Sequence, residues 1–183
     1  MASPWSKWLN LGGGHHITRD DYDRDLLINI VKYLREKYNV EVYLEPGEAV
    51  VLNSGYLVSE VLEIVNNGID IAILDTSAAC HMPDVIEMPY RPPVKDSGKS
   101  NEKKYTYRFA GGTCLAGDIM GDYSFDNPLK EGDTIIFEDM ALYTMVKTNT
   151  FNGMPLPQIA FKNINGEIQL IKSFDYNDFK CRL

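Results

Sequence analysis

Apolar positions follow two rhythms along the chain, and the change falls near residue 48. Trp8-Leu9-Asn10-Leu11 is a short apolar run that stops at Gly12-Gly13-Gly14, which predicts a buried strand. Leu26, Leu27, Ile30, Val31 and Leu34 then recur on one face at helical spacing. Thr18 or Asp20 is the expected cap, and Arg35, Glu36 and Lys37 close the helix. Val40 to Leu44 predicts a second strand, ending at Glu45-Pro46-Gly47. Strand, helix and strand with short connections form the unit of a parallel α/β sheet or barrel.

Beyond that point β-branched runs dominate: Ala49 to Leu52, Tyr56 to Val65 and Ile69 to Leu74, separated by Asn53-Ser54-Gly55 and Asn66-Asn67-Gly68. The second separator predicts a hairpin. Residues 91–104 are polar and read as a loop, and Tyr105 to Ala110 alternates like a strand. Lys130 to Asp133 predicts a turn before a strand at Thr134 to Phe137. Ile159 to Phe161 and Ile168 to Ile171 flank a further hairpin at Asn163 to Glu167. The second half is thus expected to be mostly antiparallel β. An α/β piece of this length cannot close a barrel by itself, so the chain is expected to belong to something larger.

The 183 residues are 44% apolar and 24% charged, ordinary for a soluble globular protein. Eighteen basic and 26 acidic residues leave a net charge of −8. That argues against nucleic acid or an anionic membrane as partner and is compatible with a cationic small molecule. Cys80, Cys114 and Cys181 are far apart and form no CxxC pair, so neither a disulfide framework nor a zinc site is expected, and a reducing cytoplasm fits. No apolar run reaches the ~18 residues that span a bilayer. Met1-Ala2-Ser3-Pro4 reads as a start sequence, with no secretory pattern.

The candidate chemistry lies in three stretches. Gly12 to Gly14, between a strand and a helix, exposes backbone N–H groups that suit a phosphate, although a tight turn needing positive φ also explains them. Asn10, His15 and His16 could line the same place. The adjacent histidines point to opposite sides of an extended segment, and with only His81 besides them no metal site is expected. Glu45 ends a strand, where a carboxylate can keep a pyridine nitrogen protonated; capping the turn before Pro46 is the alternative. Cys114, in Gly111-Gly112-Thr113-Cys114, is either a proton donor near Asp118 or a small buried hydrophobe. Asp118 and Asp122 suit ligand ammonium groups, or a solvated loop. Gly98-Lys99-Ser100 lacks the leading glycine and strand of a nucleotide-binding loop. A phosphate-holding loop, an acid for a ring nitrogen and a thiol beside acids are parts of a pyridoxal-phosphate site. No lysine stands in a context that suits the bond to that cofactor: Lys7 precedes the first strand, and Lys32 and Lys37 lie on the surface side of the helix.

Leu9 to Thr18, Tyr43 to Ala49, Leu74 to Asp84, Cys114 to Asp118 and Tyr143 to Gly153, in this order, resemble the C-terminal half of the alanine-racemase-fold, pyridoxal-phosphate-dependent decarboxylases. Within them they resemble the branch acting on carboxynorspermidine and carboxyspermidine. The resemblance implies an α/β-plus-β fold. Residues 1–48 would be the last units of a cofactor-binding (β/α)8 barrel, and 49–183 an antiparallel β-barrel or sandwich domain whose segment near 140–155 returns to the cofactor. It implies that Gly12, Gly13 and Gly14 bind the cofactor phosphate with the Tyr143 hydroxyl, and that Glu45 pairs with the pyridine nitrogen. Cys114 would cross a homodimer interface to protonate the carbanionic carbon, and Asp118 would help form the substrate end. Many relatives carry arginine directly after Glu-Pro-Gly. Glu48 stands there instead, as in the carboxynorspermidine branch, and Glu48 and Asp84 would grip the amines of a carboxylated polyamine. The family's cofactor-bearing lysine lies in an N-terminal half expected on the same or a separate chain, so the chain alone is expected to be inactive. The alternatives are a sister enzyme for diaminopimelate, arginine or ornithine, and a non-catalytic homologue that regulates a catalytic subunit.

Overall fold

In the computed structural model, which describes residues 6–183, strand β1 (Trp8–Asn10) and strand β2 (Glu41–Tyr43) pair in parallel. Helix α1 (Arg24–Tyr38) connects them. Met1-Ala2-Ser3-Pro4 lie outside the described residues. The register sets Trp8 opposite Glu41 and Asn10 opposite Tyr43. The cap of α1 is neither Thr18 nor Asp20. Residues 17–22 form turns, and Asp23, directly before the first helical residue, accepts the Leu26 N–H at 2.8 Å. Asn39, at φ 51°, ends the helix by donating to the Arg35 carbonyl. No residue of α1 is buried, and Leu26 and Ile30 of its apolar face are exposed.

The run from Ala49 to Leu52, expected as a strand, belongs instead to a short helix, α2 (Gly47–Val51), with Leu52 as its cap. Pro46, at φ −77° and ψ 70°, is not itself helical but leads into the helix, and its carbonyl and that of Glu48 accept the Ala49 and Leu52 N–H groups. Local turn chemistry thus overrides the weak β preference of two valines. The chain divides into two compact units at this point, one ending at Leu52 and the other Asn53–Leu183.

The second unit opens with the expected hairpin: β3 (Leu57–Asn66) and β4 (Asp70–Leu74), antiparallel, with Asn66 opposite Asp70. Two one-turn helices follow, α3 (Ala78–His81) and α4 (Asp84–Glu87). Strands β5 (Tyr105–Ala110), β6 (Ile119–Phe125) and β7 (Thr134–Phe137) complete a sheet of order β6-β5-β4-β3-β7. This sheet is mixed. The long crossover through α3, α4 and residues 91–104 returns the chain so that β5 runs parallel to β4. Residues 91–104 are no mere solvated loop. Pro92 and Val94 are buried, Lys95 donates to the Ile136 carbonyl of one edge strand at 2.9 Å, and Gly98 donates to Ser124 of the other at 2.8 Å.

The core lies against this sheet. Phe109 stacks on Tyr123 with ring centroids 4.7 Å apart, among Val61, Leu74, Met82 and Phe137. Beyond it come α5 (Tyr143–Val146), a 3-10 turn at Phe151–Gly153, a separate hairpin of β8 (Ile159–Lys162) and β9 (Ile168–Lys172), and α6 (Tyr176–Lys180).

Candidate active site

In the first unit, parallel pairing releases two loops side by side from the ends of β1 and β2. Leu11 donates to the Tyr43 carbonyl at 3.0 Å, and Glu45 to the Gly12 carbonyl at 2.9 Å. Asn10 ties the loops by its side chain: Nδ2 donates to Oε1 of Glu45, and Oδ1 accepts the Gly12 N–H at 2.8 Å. The glycines and Glu45, 31 positions apart from Gly14 in sequence, are therefore neighbours. Gly12 and Gly14 have φ of 75° and 80°, values that favour glycine, and a Cβ on Gly13 would lie 3.1 Å from the Glu45 carbonyl oxygen. Among the described residues, the amides of Gly13 and Gly14 donate to no protein group. Two open N–H groups in a left-handed turn beside an oriented carboxylate fit a phosphorylated cation. Helix α1 begins only at Arg24, so the loop offers its own amides rather than an immediately following helix end.

The two histidines face different partners. His15 Nδ1 bonds the Tyr22 hydroxyl at 2.9 Å, and His16 Nδ1 bonds Oε2 of Glu48.

In the second unit, Cys114 is exposed on the loop between β5 and β6. Asp118 closes that loop and is only 3% exposed. Its Oδ1 accepts from the Ser77 hydroxyl at 2.9 Å and the Ala79 N–H at 3.1 Å, and its Oδ2 from the Thr113 hydroxyl and N–H at 2.7 and 3.2 Å. Asp122 lies in β6, not in a solvated loop. Arg108 on β5 holds it with two hydrogen bonds of 2.8 and 3.0 Å, so it faces a cation of its own.

Asp84 opens α4 and accepts from the Tyr90 hydroxyl at 2.6 Å. Burial, then the Asp84 carboxylate, push the Tyr90 phenol well above its ordinary pKa. Oδ1 of Asp84 is buried without a partner among the described residues. Tyr143 starts α5 with its ring exposed, and the Lys147 ammonium lies 5.4 Å from the ring centre.

Helix α3 fastens the segment that follows α5. Asn149 donates to the carbonyls of Cys80 and Ala79 at 2.9 and 2.8 Å, the Cys80 thiol to that of Phe151 at 3.3 Å, and His81 Nε2 to that of Pro155 at 2.9 Å. Ser77, Thr113, His81 and Tyr90 were not singled out as site residues from the sequence. Only Ser77 carries a local signal, as a serine one position before a short helix.

A family model for the C-terminal sheet domain of pyridoxal-dependent decarboxylases matches residues 20–141, and the chain belongs to this family. It is similar to the carboxynorspermidine/carboxyspermidine decarboxylase of Campylobacter jejuni, 48% identical over 187 residues, covering 96% of this chain and 49% of the relative. It is also similar to the carboxyaminopropylagmatine decarboxylase of Synechocystis sp., 43% identical over 182 residues and covering 98% and 47%. The crystal structure of carboxynorspermidine decarboxylase from Campylobacter jejuni, complexed with norspermidine, matches with a TM-score of 0.85 at 46% identity over 97% of this chain and 51% of that one. The chain spans about half the length of the curated relatives it matches. The resemblance read from the sequence is borne out.

Proposed function

We propose that this chain is the C-terminal part of a pyridoxal-phosphate-dependent decarboxylase that removes CO2 from carboxynorspermidine or carboxyspermidine to give norspermidine or spermidine. The observation that carries the reading is the Asn10 bridge, which sets the Glu45 carboxylate beside the open amides of Gly13 and Gly14. High identity along almost the whole chain to a decarboxylase of that substrate class supports it.

When bound, pyridoxal phosphate supplies an electron sink for the pair left behind by CO2. Gly12, Gly13 and Gly14 would hold its phosphate through backbone N–H groups, and the resemblance implies the Tyr143 hydroxyl as a further donor. Glu45, oriented by Asn10, holds the proton on the pyridine nitrogen. Cys114 gives its Sγ proton to the carbon that has lost CO2. Glu48 and Asp84 accept from the ammonium groups of the polyamine, and Oδ1 of Asp84 has no partner among the described residues. Asp118 completes the substrate end by fixing the loop that carries Cys114. Charge balance requires acids: a triamine substrate brings several cations into a site where each must be paired.

On this reading residues 1–48 end a (β/α)8 barrel, and 49–183 form the β-barrel or sandwich domain, whose segment near 140–155 reaches the cofactor. The lysine that bears the cofactor lies in a complementary N-terminal half, and the complete protein works as a cytoplasmic homodimer with shared active sites. Among the described residues no helix is long and apolar enough to cross a membrane.

The test is CO2 release by the complete protein, and by this chain alone, from carboxynorspermidine, carboxyspermidine, carboxyaminopropylagmatine, diaminopimelate, ornithine and arginine. Release from a carboxylated triamine by the complete protein only is expected. Preference for diaminopimelate, ornithine or arginine would replace the substrate assignment. No release from any of them would favour a regulatory homologue.

A further inference from the structure

The loop from Gly111 to Asp118 is closed on itself and bolted to a neighbouring helix. Gly111 donates to the Asp118 carbonyl at 2.9 Å, and Asp118 to the Leu115 carbonyl at 3.0 Å. The Asp118 carboxylate then takes four neutral donors, two from Thr113 within the loop and two from Ser77 and Ala79 at the start of α3. A carboxylate is acceptor-only, so a buried one is tolerable here because every donor points at it. Ser77 in turn accepts the Cys80 N–H at 3.1 Å, so the same hydroxyl caps α3 and holds Asp118. Gly111 makes room for the arrangement. A Cβ there would lie 2.3 Å from Oδ2 and 2.7 Å from Cγ of Asp118, far inside van der Waals contact. Cys114 sits between Thr113 and Asp118, exposed, on a loop with no other regular structure.

We infer that Asp118 is a positioning residue for Cys114, locked by Gly111, and that its acceptor cluster fixes the thiol relative to α3. This rests on the proton-donating role proposed for Cys114. Asp118 touches no substrate amine: its oxygens are spent on the chain's own donors. A proton donor acts only within hydrogen-bond reach of its target, and displacement by about 1 Å can lower a rate ~100-fold. The neighbouring segment from Asn149 to Pro155 hangs from the same helix, so α3 sets the place of both functional segments of this unit.

The test uses the complete, cofactor-loaded protein with Asp118→Asn and Gly111→Ala. The first puts an NH2 group where two donors already point. The second displaces the carboxylate and leaves every charge in place. Amide hydrogen exchange over residues 111–118 and iodoacetamide labelling of the Cys114 peptide, read by mass spectrometry, report the loop without turnover. Both variants are expected to speed exchange and labelling, and to lower kcat by roughly 10- to 100-fold with KM within about threefold. Exchange and labelling unchanged in both variants would overturn the inference whatever the rate. An unchanged kcat in Cys114→Ala would overturn only the role of the thiol. If Asp118→Asn does not fold, Ser77→Ala, which removes one donor of four, is expected to show a smaller change in the same readouts, and its absence counts against the inference.

Discussion

Asn10 and Glu45, on adjacent parallel strand ends, are joined by a hydrogen bond from Nδ2 to Oε1. The same asparagine accepts the Gly12 N–H, so one side chain orients the carboxylate and shapes the glycine turn. Asn10→Ala in the complete protein is therefore expected to weaken pyridoxal phosphate binding roughly tenfold, the value of one hydrogen bond of about 1–1.5 kcal/mol. A fluorescence titration measures it. An unchanged Kd would show that Glu45 holds its place without help.

His81 should make stability depend on pH. It is almost fully buried, and burial, only partly countered by Pro155, Asp118 and Asp75, holds its pKa below the ordinary 6.5. Nδ1 accepts from the Ser77 N–H and lies 2.8 Å from the Thr76 hydroxyl, so it must stay unprotonated while Nε2 donates to Pro155. Above about pH 6.5 the ring is neutral both folded and unfolded, and its contribution is fully present. As pH falls below that value the unfolded chain takes up a proton that the folded chain resists, and stability is lost until the depressed folded pKa is passed. The melting temperature is expected to fall between pH 7.5 and 5.5 more steeply in the parent than in His81→Gln. Equal slopes would remove His81 from the account.

Asp122 was a candidate for substrate ammonium, yet Arg108 already holds both its oxygens. The pair is partly exposed, which limits its worth to about 0.2–1 kcal/mol after solvent screening. Asp122→Ala is expected to lower the denaturation midpoint slightly and to leave KM for the carboxylated triamine unchanged. A several-fold rise in KM would return Asp122 to the site.

Local signals and long-range ones divide what the sequence reveals. Strands β5 and β7 fall where alternation and flanking turns predict them, and the β3–β4 hairpin follows its Asn-Gly separator. Strand β6 escaped because Gly121 and Asp122 interrupt its pattern. Its bonds to β5, and the Arg108 that neutralises Asp122, are invisible along the chain. Helix α3 has four residues, too few to show a period. The site divides in the same way. Glu45 and Cys114 stand in short recognisable stretches, whereas Asp118 owes its state to Ser77 and Ala79, 41 and 39 positions away. A carboxylate written beside glycines looks open to a ligand until the fold supplies its donors.

Glu48 offers the sharpest test of substrate class. Its carboxylate bonds the ring of His16 and is mostly shielded, so it is held in place rather than free to swing. Glu48→Arg replaces the proposed acceptor for ammonium with a cation and sets that cation beside His16. A fixed acid paired with a substrate amine in a shielded site is worth about 2–5 kcal/mol when its partner is left unpaired, roughly 30- to several-thousand-fold. The expected result in the complete protein is a fall of at least ~30-fold in kcat/KM for carboxynorspermidine. Cofactor absorbance and its Kd should stay close to those of the parent, because Glu45 and the glycine turn are untouched. Measured kcat/KM that survives the change would mean that the polyamine is gripped elsewhere. Lost cofactor binding would place Glu48 at the phosphate end instead.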